Sequence, residues 1–71
     1  MKPTRVTNSI RALRFAHGEM TQAELAERIG MTRQTVIAIE QGRYSPSLEV
    51  AFQIARVLGV PLEEVFRYPD S

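Results

Sequence analysis

One segment near the middle of the chain, MTRQTVIAIEQG, combines hydrogen-bonding and apolar side chains on what helical spacing predicts to be a single outward face. Gln34 and Gln41 each carry an amide donor and acceptor, and Arg33 adds a guanidinium. Ile37 and Ala38 share this face. Amides suit adenine edges, a guanidinium suits guanine or phosphate, and small apolar groups suit thymine methyls. Such a face fits base edges better than water, although a solvated helix with one tolerated isoleucine is the alternative.

Catalytic and metal chemistry finds little support in the residue types. His17 is the single histidine, so we expect it to lie at a helix end rather than in a multi-histidine metal site. Asp70 and Ser71 lie at a terminus that is predicted to fray. No glycine-rich phosphate loop or metal-ligand spacing is found, and there is no cysteine. We therefore expect no enzyme, cofactor or metal, and a core this small indicates no small-molecule effector site.

Length and composition predict one small globular domain. The chain has 71 residues, of which 44% are hydrophobic and 24% charged. No apolar run approaches the roughly 20 residues that span a bilayer, and nothing resembles a signal peptide, so a soluble cytoplasmic protein without a membrane partner is expected. Residues 1–46 carry a net charge of +3 and residues 47–71 one of −2. This asymmetry indicates a basic face at one end, unless it is chance unevenness in a short chain.

The arrangement of glycines and prolines predicts five short helices in a compact all-α fold. Glycines at positions 18, 30, 42 and 59 fall where helices should end. No stretch alternates apolar and polar residues for long, so strands are not predicted. The expected buried residues are Ile10, Leu13 and Ala16 on the first helix (residues 8–17), Leu25, Ala26 and Ile29 on the second, Val36 and Ile39 on the third, and Leu48, Ala51, Phe52, Ala55 and Leu58 on the fourth. The short fifth helix presents the apolar residues Leu62, Val65 and Phe66.

Capping signals fix where three of these helices begin. Thr21 and Glu24 form a capping-box pattern, and Thr32 is placed to cap the following helix. Met20 and Met31 precede these two caps and are predicted to pack on Leu25 and Val36, four residues into each helix. The fourth helix is expected to begin after Ser47 or Ser45.

The second and third segments satisfy the requirements of a helix-turn-helix over about residues 21–41. This motif needs a small residue inside its first helix and a glycine or similar residue at the turn, which Ala26 and Gly30 supply. It also needs apolar anchors on both helices, and five are available: Leu25, Ile29, Met31, Val36 and Ile39.

The stretch from MTQAEL to LEEVF resembles the Cro/phage-repressor (XRE-like) helix-turn-helix regulators, in particular a group of very small stand-alone members. The resemblance covers about residues 10–66 and implies a five-helix, lambda-repressor-like domain. One departure is that HGEMTQ is one residue longer than the usual loop before the second helix, which leaves the path of that loop open.

The resemblance also implies a DNA-binding surface. The third helix would lie in the major groove and read bases through Arg33, Gln34, Ile37, Ala38 and Gln41. Phosphate contacts would come from Gln22, Thr32, Arg43, Tyr44 and Ser45, although Arg43 alone could be a generic surface arginine. Glu40 would turn inward and pair with Arg14, the alternative being two unrelated solvated charges.

These features predict a sequence-specific regulator of double-stranded DNA, a repressor that acts as a homodimer on a near-palindromic operator. Val65, Phe66 and Tyr68 are the predicted dimer contacts. The alternatives are an antitoxin that represses its own operon and binds a toxin, or a protein-interaction module that does not touch DNA. Residues 1–7 and 69–71 are candidates for disorder. The alternative for the N-terminal segment is an arm, with Lys2 and Arg5 entering the minor groove.

Overall fold

A computed structural model describes residues 4–69 of the chain. Its five helices confirm the predicted five-helix class. In chain order the elements are β1 (Thr7–Asn8), α1 (Ile10–Ala16), α2 (Gln22–Ile29), α3 (Arg33–Glu40), α4 (Leu48–Leu58), α5 (Leu62–Val65) and β2 (Phe66–Arg67). Within the described range, none of these helices has the length and apolar composition that crossing a membrane requires.

One hydrophobic core lies between the helices and receives side chains from all five of them. Its most deeply buried members are Ile10, Leu25, Val36, Ile54 and Val65. Because each helix contributes only one to four buried residues, the helices depend on one another for burial.

Side-chain caps begin α2, α3 and α4, as predicted. The Thr21 hydroxyl accepts a hydrogen bond from the Glu24 backbone N–H at 3.0 Å, and the Glu24 carboxylate accepts from the Thr21 N–H at 2.9 Å. Thr32 caps α3, and Ser47 rather than Ser45 caps α4. These bonds satisfy backbone donors that a helix leaves free at its start.

The turn between α2 and α3 is made by Gly30, as predicted. Gly30 has φ = 70°, a left-handed conformation that costs glycine little, and its N–H bonds to the carbonyls of Ala26 and Glu27. The next N–H, of Met31, bonds to the Ala26 carbonyl at 2.9 Å. Met31 itself remains 38% exposed, so its predicted role as a core anchor is wrong.

The loop before α2 contains two consecutive residues of positive φ. Gly18 has φ = 72° and Glu19 has φ = 55°, which is uncommon for a residue with a side chain. The chain then returns to α1 through hydrogen bonds from Glu19 N–H to Phe15 O and from Met20 N–H to Arg14 O. His17 is the residue that follows α1, as expected.

Several predicted core positions are on the surface instead. Leu48 is 67% exposed and Phe52 54% exposed, because the buried stripe of α4 runs through Ala51, Ile54, Ala55 and Leu58. Ile54, which was not predicted, is 1% exposed. Ala16 is also exposed, since the inward side chain of the last turn of α1 is Arg14.

The strand pair was not predicted. β1 and β2 are antiparallel, with Thr7 opposite Arg67 and Asn8 opposite Phe66. Two residues per strand are too few to show an alternating pattern in the sequence. Phe66 lies in β2 rather than in the fifth helix. Residues 4–7 were among the predicted candidates for disorder, but Thr7 pairs with β2 and the Thr4 hydroxyl forms a hydrogen bond with the Ser45 hydroxyl.

The capping box gives a testable pH dependence. Hydrogen bonds from the Thr21 backbone and side chain lower the pKa of Glu24 below its ordinary value of 4.5, and the nearby positive charge of Arg28 lowers it further. A carboxylate whose pKa is lower in the folded state stabilises the fold above the unfolded pKa, and this stability is lost as the pH falls through the folded pKa. We expect Thr21→Ala to raise the pKa of Glu24 toward 4.5 in an NMR titration.

The same variant should lower the free energy of unfolding by about 1 kcal/mol at neutral pH in chemical denaturation, the usual effect of a lost threonine cap. Thr7→Ala is the control, because Thr7 is exposed and caps no helix. An unchanged Glu24 titration in Thr21→Ala would contradict the assigned cause of the pKa shift.

Candidate nucleic-acid interface

The outward face of α3 carries the mixed side chains that the sequence indicated. Arg33, Gln34 and Gln41 are exposed, and Ile37 and Ala38 are half-buried between them. None of the three polar side chains forms a hydrogen bond with another residue of the described range. Their donors and acceptors are therefore available to an external partner.

The inward face of α3 anchors it to the core. Val36 and Ile39 are 1% and 2% exposed, and both belong to the main apolar cluster. Two buried side chains one turn apart fix which face of the helix points outward. Gln34, Ile37, Ala38 and Gln41 consequently lie on the side away from these anchors, and Arg33 lies at its edge.

Polar groups at the start of α2 lie beside this face. The Gln22 side chain donates to the Glu40 carboxylate at 3.1 Å, so its amide is already committed to a contact within the protein. The backbone N–H groups of Gln22 and Ala23 form no hydrogen bond within the described range, as is usual in the first turn of a helix. These two N–H groups are free to donate hydrogen bonds to an anion.

The other predicted phosphate-binding residues differ in how exposed their side chains are and in whether these already form hydrogen bonds. Arg43 is exposed, with only its backbone N–H engaged, by Ala38 O at 3.0 Å. Tyr44 is half-buried against the core. The Ser45 hydroxyl bonds to the Thr4 hydroxyl at 2.6 Å. Thr32 caps α3 and exchanges a hydrogen bond with the Thr35 hydroxyl at 3.0 Å.

Arg14 and Glu40 lie together between α1 and α3. Arg14 Nε donates to Glu40 Oε2 at 2.6 Å and Nη2 donates to Oε1 at 3.2 Å, while Nη1 donates to the Met20 carbonyl at 2.7 Å. The two side chains are only 8% and 9% exposed. This geometry agrees with the inward-turned pair and not with two solvated charges.

A groove between α1 and the two motif helices was not anticipated. Arg11 and Phe15 from α1 line it together with Gln22 and Arg33. Arg11 and Arg14 each lie 5.8 Å from the Phe15 ring centroid. The sequence does not predict the contribution of Arg11 and Phe15 to a groove, because helical spacing marks only the buried stripe of α1.

No group of three His, Asp or Glu residues within residues 4–69 is arranged to hold a metal ion.

The predicted dimer residues are placed unequally. Val65 is 0% exposed, so the prediction that it forms an interface is wrong, because its whole side chain is used by the core. Phe66 is half-buried, and Tyr68 is 66% exposed. Arg5, one of the two predicted arm residues, lies over the Tyr68 ring with 5.8 Å to its centroid, and Lys2 lies outside the described residues.

Comparison with known proteins gives the family. Residues 10–65 match the family described as Helix-turn-helix (HTH_3), which is well over half of the chain. The chain belongs to the helix-turn-helix family. This places it among the XRE-type DNA-binding transcription regulators, a class that is not enzymatic in kind, and confirms the resemblance noted in the sequence.

Relatives span most of the chain. An HTH-type transcriptional regulator of Methanocaldococcus jannaschii is 48% identical over 64 residues, covering 90% of this chain and 96% of that protein. The transcriptional repressor RstR of the cryptic phage CTXphi, from Vibrio cholerae, is 37% identical over 59 residues, 83% of this chain and 52% of that protein. Among solved structures, the restriction-modification controller protein C.AhdI from Aeromonas hydrophila has a TM-score of 0.70 and 33% identity, over 78% of both chains.

The buried ion pair makes a prediction about stability. Arg14→Met and Glu40→Met should each lower the free energy of unfolding by about 3–5 kcal/mol, because each leaves an unpaired charge in a buried position. The double variant should lose much less than the sum of the two, since it leaves no charge unpaired. Urea denaturation of the four proteins measures this coupling. Additive losses would show that the two charges do not depend on each other.

Proposed function

We propose that the chain is a sequence-specific repressor that places α3 in the major groove of double-stranded DNA. The observation that carries this proposal is the outward face of α3, where exposed Arg33, Gln34 and Gln41 surround the half-buried Ile37 and Ala38. Amide and guanidinium groups that have no hydrogen-bond partner within residues 4–69 are suited to base edges. The relative named as a phage repressor supports repression as the regulatory outcome.

The proposal separates residues that read bases from residues that hold the backbone. Gln34 lies in the first turn of α3, and its exposed side chain forms no hydrogen bond in the described part of the chain, so it can approach a base edge. Arg43 lies beyond the end of α3 in the following loop, which suits contact with a phosphate. Phosphate charge is the same at every base pair, so only the first kind of contact carries sequence preference.

This separation can be measured with two alanine variants. We expect Gln34→Ala to weaken binding by about 1–3 kcal/mol per half-site and to relax preference mainly at one position of each half-site. Arg43→Ala should weaken binding to all sequences about equally and reduce the salt dependence by about one unit of slope per half-site. Fluorescence anisotropy across a salt series measures both the sequence preference and the salt dependence. Two duplexes are compared: one that the wild type selects from a random pool, and the same duplex with its sequence shuffled.

Arg56→Ala is the control for loss of a positive charge. Arg56 is exposed on α4 and belongs neither to α3 nor to the loop that follows it. Sequence preference that survives Gln34→Ala but is abolished by Arg43→Ala would place α3 outside the groove.

We also propose that the active form is a homodimer on a near-palindromic operator. One small DNA-binding module buries about 600–1,000 Å², and two half-sites are commonly combined to reach useful specificity. A two-fold axis would then place the two α3 helices about 34 Å apart, one turn of DNA.

The proposed dimer contact is an apolar surface around β2 and the start of α4. It forms a groove whose apolar lining includes Val6, Leu48, Leu62, Phe66 and Tyr68. Leu48 and Tyr68 are 67% and 66% exposed, which is unusual for such large apolar side chains grouped in one place. Glu63 and Arg67 line the same groove. A surface that carries both charges is complementary to its own copy under two-fold symmetry, which favours a second copy as the occupant.

Substitution at this surface tests the dimer. We expect Leu48→Glu to shift the protein toward monomer in sedimentation experiments, because it places a charge in the apolar contact. Phe15→Glu is the matched control, since Phe15 is 53% exposed and lies on α1, away from this groove. A wild type that is monomeric at high micromolar concentration with and without DNA would overturn the dimer proposal.

A further inference from the structure

Asn8 connects the strand pair to the last turn of α3. Its Nδ2 donates to the Ile39 carbonyl at 3.0 Å and lies 3.4 Å from the Glu40 carbonyl. Its Oδ1 accepts from the Ile10 N–H at 3.2 Å. These partners fix the amide orientation, because a carbonyl can only accept and an N–H can only donate. One half-buried side chain therefore serves the end of α3 and the start of α1.

The last turn of α3 contains no side chain of its own that can donate a hydrogen bond to its carbonyls. α3 contains no basic residue in its last turn, where the helix dipole favours a donor or a cation. The Asn8 amide supplies that donor from outside the helix. The backbone of Asn8 lies in β1 opposite Phe66 of β2. The next residue, Ser9, donates its N–H to Val65 O at 2.9 Å.

The geometry points to Asn8 as a positioning residue for sequence reading by Gln41. Gln41 follows Glu40 directly, so the path of the backbone at the Ile39 and Glu40 carbonyls sets where the Gln41 side chain emerges. Gln34, seven residues earlier, is positioned by the Thr32 cap at the other end of the helix. Loss of the Asn8 contact should therefore disturb reading at the Gln41 end of α3 and leave the Gln34 end in place. This inference rests on the proposed function.

The test uses Asn8→Ser in the full chain. A serine hydroxyl can still accept from the Ile10 N–H two residues along, but it is too short to reach the α3 carbonyls. We expect the ratio of affinities for the selected and shuffled duplexes to fall about fivefold, the effect of one lost hydrogen bond. The relaxed preference should fall at the same position of the half-site as in Gln41→Ala. The double variant Asn8→Ser/Gln41→Ala should then be no worse than Gln41→Ala alone.

The controls separate positioning from folding. Binding is measured well below the unfolding midpoint of every variant, with folding checked by NMR. Thr7→Ala, at the neighbouring residue on β1, should keep the wild-type ratio, because the Thr7 hydroxyl donates to Arg67 O at 3.4 Å and to no carbonyl of α3 within the described range. If Asn8→Ser does not fold, Asn8→Asp is used, which keeps the acceptor and the size of the side chain but loses the donor. Its added charge affects both duplexes and cancels in the ratio.

Each outcome decides the matter. Relaxed preference at the Gln41 position supports the role of Asn8. An unchanged ratio in a folded variant, or preference lost equally at all positions, overturns this role while leaving the proposed function intact. A wild type that selects no sequence from the random pool overturns the proposed function and this inference with it.

Discussion

The ion pair between Arg14 and Glu40 is the contact on which the placement of the helix-turn-helix depends. It joins α1 to α3, and the Met20 carbonyl and the Gln22 amide at the entrance to α2 form further hydrogen bonds with the pair. Charges that are 8% and 9% exposed cannot be solvated if they separate, so the three helices must meet at one geometry to keep both satisfied. Apolar packing alone tolerates more variation in orientation, because it is not directional.

This constraint matters because α3 has little else to orient it. Only Val36 and Ile39 bury their side chains in the core, and the rest of the helix faces outward or is half-buried. Directional contacts act along its length: the Thr32 cap at its start, Glu40 in its last turn and the Asn8 amide at its end. The orientation of α3 is thus fixed by directional polar contacts at several points rather than by a large core.

Local signals made much of this arrangement predictable from the sequence. The Thr21, Thr32 and Ser47 caps and the Gly30 turn depend on residues within a few positions of each other, so spacing alone reveals them. Long-range relations were harder. Helical spacing gives the period of α4 but not which neighbouring residues cover its first turn, and Leu48 was therefore placed in the core although it is exposed. Val65 was assigned to an interface because apolar character does not reveal which partner buries it. The contacts of Asn8 with the α3 carbonyls join positions 31 and 32 residues apart, and no local pattern marks them.

The strand pair has a consequence for how the domain folds and breathes. Thr7 and Arg67 are 60 residues apart in the chain, whereas the caps and turns of the helices close over three to six residues. Closing so long a loop for two residues of pairing on each side gains little against its entropy, so this pair should form after the helical body and open before it. The β1–β2 pair is therefore expected to have low local stability, whereas the helices fold through short-range contacts. The hydrogen bond that Asn8 donates to the end of α3 therefore belongs to the contacts of the molecule that are established last.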